Sequence, residues 1–239
     1  EEINTMKRAE NKGSNKLGVM IAALVAVVVI VAGFIFFNPF GGSKSSNTAK
    51  KATGTSSTKQ ETKYEPSQEE KDYLKNRFAQ LTSVNPEAIA YVYAPGTQLD
   101  EHVVQTKDNE TYLNKTFDGG NEPYMGTVFM DMDNKKDFSD RLTWLFGHAR
   151  GSQVEDHRMF NDVNYYSDQS FFDNHKYVVI ETPQRKYYYE ALAMVIVPED
   201  TAFYRTSFKD DKDFKEQLDI IYNTADVKNK DLKVSASDK

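Results

Sequence analysis

The sequence predicts a mainly β domain with accessory helices, preceded by one transmembrane helix. Three observations lead to this. Short runs of β-branched and aromatic residues, separated by Gly, Pro, Asn and Asp, recur through residues 64–239. Helical periodicity is confined to two stretches there, one opening near residue 68 and one near residue 210. Finally, the 21 residues from Leu17 to Phe37 carry no charge. At about 1.5 Å per residue, such a helix matches the ~30 Å hydrocarbon core of a bilayer.

Residues 1–16, with Lys7, Arg8, Lys12 and Lys16, read as a cytoplasmic tail. The apolar run at 17–37 is longer than the ~7–15-residue core of a signal peptide. It leads into Phe34-Ile35-Phe36-Phe37-Asn38-Pro39-Phe40, a poor cleavage context, so an uncleaved anchor is expected. Residues 38–63, rich in Ser, Thr and Lys, read as a flexible stalk. Basic residues flank the run on both sides, so local charge leaves its orientation open. Long C-terminal domains translocate largely regardless of charge, and a cysteine-free domain suits an exterior compartment. The expectation is a single-pass protein of the cell membrane with its C-terminal domain, residues 64–239, extracellular.

That domain opens with Ser67 followed three residues later by Glu70, a capping box. Leu74, Phe78 and Leu81 then line one face of a helix of about four turns. Strands are expected at Ile89–Tyr93, His102–Gln105, Thr127–Met130, Leu142–Phe146, Tyr177–Glu181 and Tyr187–Val197, with antiparallel spacing. A second amphipathic helix, Asp210–Asn223, carries Phe214, Leu218 and Ile221 on one face. No repeat and no strict βα alternation appear, which disfavours a doubly wound parallel sheet.

Composition narrows the chemistry. With 15 Phe and 14 Tyr in 239 residues the chain can build a real core. Residues 1–63 hold nine basic against four acidic side chains, and residues 64–239 hold 21 against 32. A body this acidic repels phosphate backbones and has no basic stripe, so no nucleic acid partner is expected. The sequence has no cysteine, which excludes disulfides, thiolate zinc sites, iron–sulfur clusters and any cysteine nucleophile among these residues. No Gly-x-Ser-x-Gly elbow, phosphate loop or dinucleotide fingerprint is present.

The four histidines show no metal-binding spacing. His102, His157 and His175 have polar neighbours and read as solvated. His148 differs, because the expected strand Leu142–Phe146 runs directly into Gly147-His148. This puts an imidazole at a strand end, behind a residue that permits close backbone approach. Spacing alone leaves two readings open for it, a packed histidine or a proton-handling one. The acidic run Asp210-Asp211-Lys212-Asp213 suits a helix N-terminus, and Tyr187-Tyr188-Tyr189 suits cross-strand packing.

Six short motifs then occur in order: Asn85-Pro86-Glu87, Ala94-Pro95-Gly96-Thr97, Val103-Val104-Gln105, Asp108-Asn109-Glu110-Thr111-Tyr112-Leu113, Gly126-Thr127-Val128-Phe129-Met130-Asp131 and Phe146-Gly147-His148. Met159-Phe160 follows them. In order and spacing this part of the chain, residues 66–239, resembles the class B sortases, transpeptidases anchored outside Gram-positive cells. It departs from their usual pattern at Ala90-Tyr91 and at Asp100-Glu101-His102.

The resemblance implies a sortase-type closed β-barrel with an N-terminal helix and a long helix between its sixth and seventh strands, matching Asp210–Asn223. It implies a triad of His, Cys and Arg in which His148 is the histidine. The Cys would end a strand reading Thr-Leu-x-Thr-Cys and the Arg would follow on the last strand, beyond Ser237-Asp238-Lys239. A sequence truncated before the nucleophile, hence inactive as it stands, is expected over natural loss of catalysis, because a barrel without its last strands could not close. Asn109 and Leu113 match groove positions, and Phe203 and Tyr204 match a substrate-contacting loop, with core packing the other reading for Leu113 and Phe203. The implied partners are the sorting-signal peptide of a surface protein or pilin and, as amine acceptor, a cell-wall precursor or pilin lysine. No cofactor and no metal is implied. The alternative function is a non-catalytic, membrane-tethered binding or pilus-assembly scaffold module.

Overall fold

The computed structural model describes residues 25–31, 64–150, 156–197 and 203–237. Helix α1 (Gln68–Val84) starts as its sequence dictates, with the Ser67 hydroxyl accepting from the Glu70 N–H at 3.1 Å and Leu74 and Phe78 buried beneath it. Strands β2 (Ala88–Tyr93) and β3 (Asp100–Val104) form a hairpin. β4 (Val128–Met130) runs parallel to β3, and β5 (Leu145–Phe146) returns antiparallel to β4. After a 3-10 segment (Asn161–Ser167) and helix α2 (Gln169–Asn174), β6 (Tyr177–Glu181) pairs with both β2 and the long β7 (Lys186–Val197). Helix α3 (Asp211–Thr224) is capped by the Asp210 side chain, which accepts from the Asp213 N–H at 2.9 Å. It buries Phe214, Leu218 and Ile221, the face its periodicity predicts. A two-residue strand, β8 (Val227–Lys228), pairs with β7.

Two features of the structure bear on these expectations. Residues Val25–Val31, the centre of the predicted transmembrane helix, form strand β1, antiparallel to β7 from Glu190 to Val197. The reason lies in the residues: six of the seven are Val or Ile, whose branched side chains favour strands, and β7 supplies backbone partners along its edge. No helix among the described residues is long and apolar enough to cross a membrane. Second, the described strands form an open sheet. The sheet order is β1-β7-β6-β2-β3-β4-β5, a curled half-barrel whose end strands are β1 and β5, and no described strand joins them.

The expected strand Leu142–Phe146 shrinks to Leu145–Phe146 because a side chain takes over its backbone. Asn134 Nδ2 donates to the Leu142 carbonyl at 2.9 Å, and its Oδ1 accepts from the Trp144 N–H at 2.8 Å. Trp144 is thereby turned towards α3 and packs with Leu142, Leu192 and Phe214. The main core gathers Ile89, Val103, Val128, Met130, Phe172 and Ile180. A third cluster, Val104, Tyr112 and Phe129, adjoins Leu113 and Phe146. Glu181, 1% exposed, fastens α1 to the sheet through Arg77 Nε and Lys186 Nζ, both 2.8 Å away.

Candidate functional site

The site grows from the ends of β4 and β5. Leu145 and Phe146 pair with Met130 and Phe129, and Gly147 then passes so close to its neighbours that an added Cβ would lie 3.0 Å from both Val128 and Phe160. That close approach sets the next residue. The His148 carbonyl accepts from the Phe160 N–H at 3.0 Å, and its Nε2 lies 2.7 Å from the Leu113 carbonyl. A carbonyl only accepts, so Nε2 carries the proton and Nδ1 holds the lone pair in the neutral ring. Among the described residues Nδ1 has no hydrogen-bond partner. The Tyr124 ring meets the imidazole edge-on, with centroids 6.5 Å apart.

The Leu113 carbonyl is itself held. Gly126, at φ +60°, packs against the carbonyls of Tyr112 and Leu113, and the Thr127 N–H donates to Tyr112 at 3.0 Å. Leu113 and His148, two of the candidate residues, are therefore in direct contact through the Leu113 backbone, while the half-buried Leu113 side chain packs against the Val104, Tyr112 and Phe129 cluster. The Leu113 side chain thus packs as core, and it is the Leu113 carbonyl that meets His148.

A second pair converges on Asp131, which follows β4 and is fully buried. Asp131 Oδ2 accepts from Asn109 Nδ2 at 2.8 Å and from the Tyr204 hydroxyl, and Oδ1 accepts from the Asp133 N–H at 2.8 Å. The other end of the Asn109 amide is also engaged, its Oδ1 accepting from the Met132 N–H at 2.9 Å. Burial first, and then the bond to Asp131, pushes the Tyr204 phenol above its ordinary value. The Tyr204 ring lies 5.5 Å from Trp144 and 6.2 Å from Phe146, two residues before His148. Trp144 Nε1 donates to the Arg205 carbonyl at 2.7 Å, pinning the same segment from the other side. Phe203 points away, into the cluster beneath α3, where Gln217 Nε2 donates to its carbonyl.

Sequence reasoning missed Asp131, Trp144 and Tyr124 as parts of this arrangement. Asp131 left a signal, as a carboxylate directly after the buried strand residues Val128–Met130. The other histidines are placed elsewhere. His102 is not solvated as expected but sandwiched, stacked on Phe117 at 4.1 Å and meeting Tyr91 edge-on, and burial lowers its pKa. His157 Nδ1 bonds Asp162 at 2.8 Å, and His175 Nδ1 bonds the Phe171 carbonyl at 2.9 Å. Among the described residues no three His, Asp or Glu side chains gather as metal ligands do.

A half-barrel with the N-terminal helix α1, the long helix α3 between β7 and β8 (the sixth and seventh strands counted from β2) and a histidine two residues after β5 makes a sortase-type fold. Comparison with known proteins makes the assignment sharper. No protein-family model matches the chain. Sortase B of Staphylococcus aureus is 28% identical over 168 residues, covering 70% of this chain and 66% of the relative. Sortase B of Listeria monocytogenes is 25% identical over 166 residues, covering 70% and 65%. The crystal structure of S. aureus sortase B superposes with a TM-score of 0.63 at 28% identity, over 69% of this chain and 75% of that one. Sortase B from Bacillus anthracis gives 0.60 at 28% identity, over 67% and 72%. By sequence and by structure the chain is a homologue of sortase B, and class B is the subgroup that fits. It spans just under two thirds of the length of the two curated relatives.

Proposed function

We propose that the complete protein is a membrane-anchored cysteine transpeptidase, which cleaves the C-terminal sorting signal of a surface protein or pilin and joins the product to an amine. The observation that carries this reading is His148, whose Nε2–H is fixed on the Leu113 carbonyl so that Nδ1 alone is left for proton transfer. In the proposed reaction a cysteine thiolate attacks the Thr carbonyl of the signal, and the Thr amide bond breaks. The departing amine takes a proton from the imidazolium, and an acyl thioester remains. An acceptor amine then attacks the thioester, gives its proton to the neutral imidazole, and releases the thiolate with a new amide. Solved relatives include a sortase B–substrate complex and a sortase B bound to triglycine, and an analogous peptide and amine acceptor are proposed for this chain.

These residues contain no cysteine, so in this reading the nucleophile lies outside them. A Thr-x-Thr-Cys within ~15 residues of continued coding sequence, the reach of a turn and one strand, supports the enzyme. Cleavage of a sorting-signal peptide that stops on treatment with a thiol-alkylating reagent tests it directly. The absence of cysteine also leaves the alternative reading, a non-catalytic scaffold module on the same half-barrel, and a continued sequence without cysteine would favour that one.

Attachment outside the membrane through residues 17–37 belongs to the same proposal. In the fold β1 borrows its hydrogen-bond partners from β7. In hydrocarbon no such partner is present, and a helix is the form in which one isolated segment satisfies its own backbone.

A further inference from the structure

Two of the candidate peptide-binding side chains are tied to one buried carboxylate. Asp131 has no exposed surface, and each of its polar atoms is in use. Oδ2 takes Asn109 and Tyr204, Oδ1 takes the Asp133 N–H, its own N–H donates to the Trp144 carbonyl at 3.0 Å, and its carbonyl accepts from Gln105 Nε2 at 2.7 Å. Asn109 is correspondingly engaged, with a bond from its amide nitrogen and another to its amide oxygen. Tyr204 is different. Its hydroxyl is held inside while 45% of the residue is exposed, so the ring, backed by Trp144 and Phe146, is what faces outward.

We propose that Asp131 is a positioning residue for the peptide groove: it fixes Asn109 and Tyr204 as one rigid wall that meets the peptide through the Tyr204 ring, with the Asn109 amide serving as an internal brace. This rests on the transpeptidase reading above. A buried carboxylate suits the task because hydrogen bonds to a charged acceptor are stronger than neutral ones and a buried unpaired carboxylate is costly, so the three elements carrying Asn109, Asp131 and Tyr204 settle in one arrangement. The wall ends at Phe146, two residues from His148, so a shift at residue 204 moves the surface beside the imidazole.

The test uses the complete protein and a fluorogenic peptide carrying a sorting signal from a surface protein of the same genome. Asp131→Ala is expected to raise KM roughly tenfold, the effect on the peptide of loosening one wall of its groove, with kcat within about twofold. Tyr204→Phe removes only the hydroxyl from a half-exposed ring and is expected to give a similar rise without unfolding. The double variant should be no worse than Asp131→Ala, because the two changes break the same link. Native-state trypsin cleavage after Arg205 should accelerate in both single variants. If the complete protein cuts the peptide and Tyr204→Phe leaves KM within about twofold, the positioning role is overturned and the transpeptidase reading stands. If the complete protein does not cut the peptide, the transpeptidase reading fails and this role falls with it.

Discussion

Gly126→Ala is a small change with a large expected consequence, because Gly126 packs against the carbonyl that holds the imidazole. At φ +60° a Cβ on residue 126 would lie 2.1 Å from the Tyr112 carbonyl oxygen and 2.7 Å from that of Leu113. An ordinary contact begins near 3.4 Å, so the Tyr112 carbonyl must retreat by about 1 Å. Left-handed backbone costs a non-glycine residue about 1 kcal/mol and forced overpacking about 1–3, so roughly 2–4 kcal/mol of stability should be lost. For a domain of this size that is a fall in Tm of roughly 5–15 °C. The bond from Thr127 to Tyr112 and the bond from His148 to Leu113 both terminate on the displaced carbonyls. Peptide cleavage should therefore fall by more than the unfolded fraction at the assay temperature explains. Calorimetry paired with a peptide assay on the complete protein measures both quantities. A Tm within about 2 °C of the parent would refute the packing argument, and a lower Tm with undiminished cleavage by the folded fraction would refute the link to His148.

Other consequences can be measured on the same protein. Glu181→Ala leaves Arg77 and Lys186 without their buried partner and should cost about 3 kcal/mol, seen as a lower urea midpoint; an unchanged midpoint would show that the ion pairs of Glu181 do not hold α1. His102, whose pKa burial holds below its ordinary 6.5, stabilises the fold fully above pH 6.5. Its contribution declines as pH falls from there through the lowered folded value, since the unfolded chain takes the proton first. His102→Phe should flatten the fall in stability between pH 7 and pH 5, and an identical slope in the two proteins would exclude His102 as its source. Val28→Lys places a charge at the centre of the proposed anchor, at a cost of about 2.5–3.5 kcal/mol for insertion. It should move the protein from the membrane pellet to the soluble fraction, and retention in the pellet would count against residues 17–37 as the anchor.

The elements legible in the sequence are those whose signals are local. The Ser67 and Asp210 caps, the Leu74–Phe78 stripe and the Phe214–Leu218–Ile221 stripe place α1 and α3 within a residue or two, and the long apolar run at 187–197 matches β7. The segment at 161–174 was not anticipated, because its helices are short and polar. The cap was readable all the same, with Asp168 accepting from the Phe171 N–H at 2.8 Å. Residues 25–31 show what composition leaves open: an uncharged Val-rich run suits a membrane helix in hydrocarbon and an edge strand where β7 offers its backbone. At the site, His148 was legible because a glycine and a strand precede it. The link from Asn109 to Asp131 to Tyr204 spans nearly a hundred residues, and no local pattern announces a hydrogen bond of that range. The same holds for Asn134, whose side chain ends the expected strand at Leu142.

The central claim is that His148, alone among the four histidines, handles protons in peptide transfer, and its replacement in the complete protein tests this most directly. His148→Ala should lower cleavage of a sorting-signal peptide by ~10²-fold or more, the usual reach of general acid–base catalysis, while Tm changes little. His102→Ala, His157→Ala and His175→Ala should each stay within a few-fold once corrected for the folded fraction. Full activity in His148→Ala, or a loss explained entirely by unfolding, would contradict the account and leave His148 a packing residue.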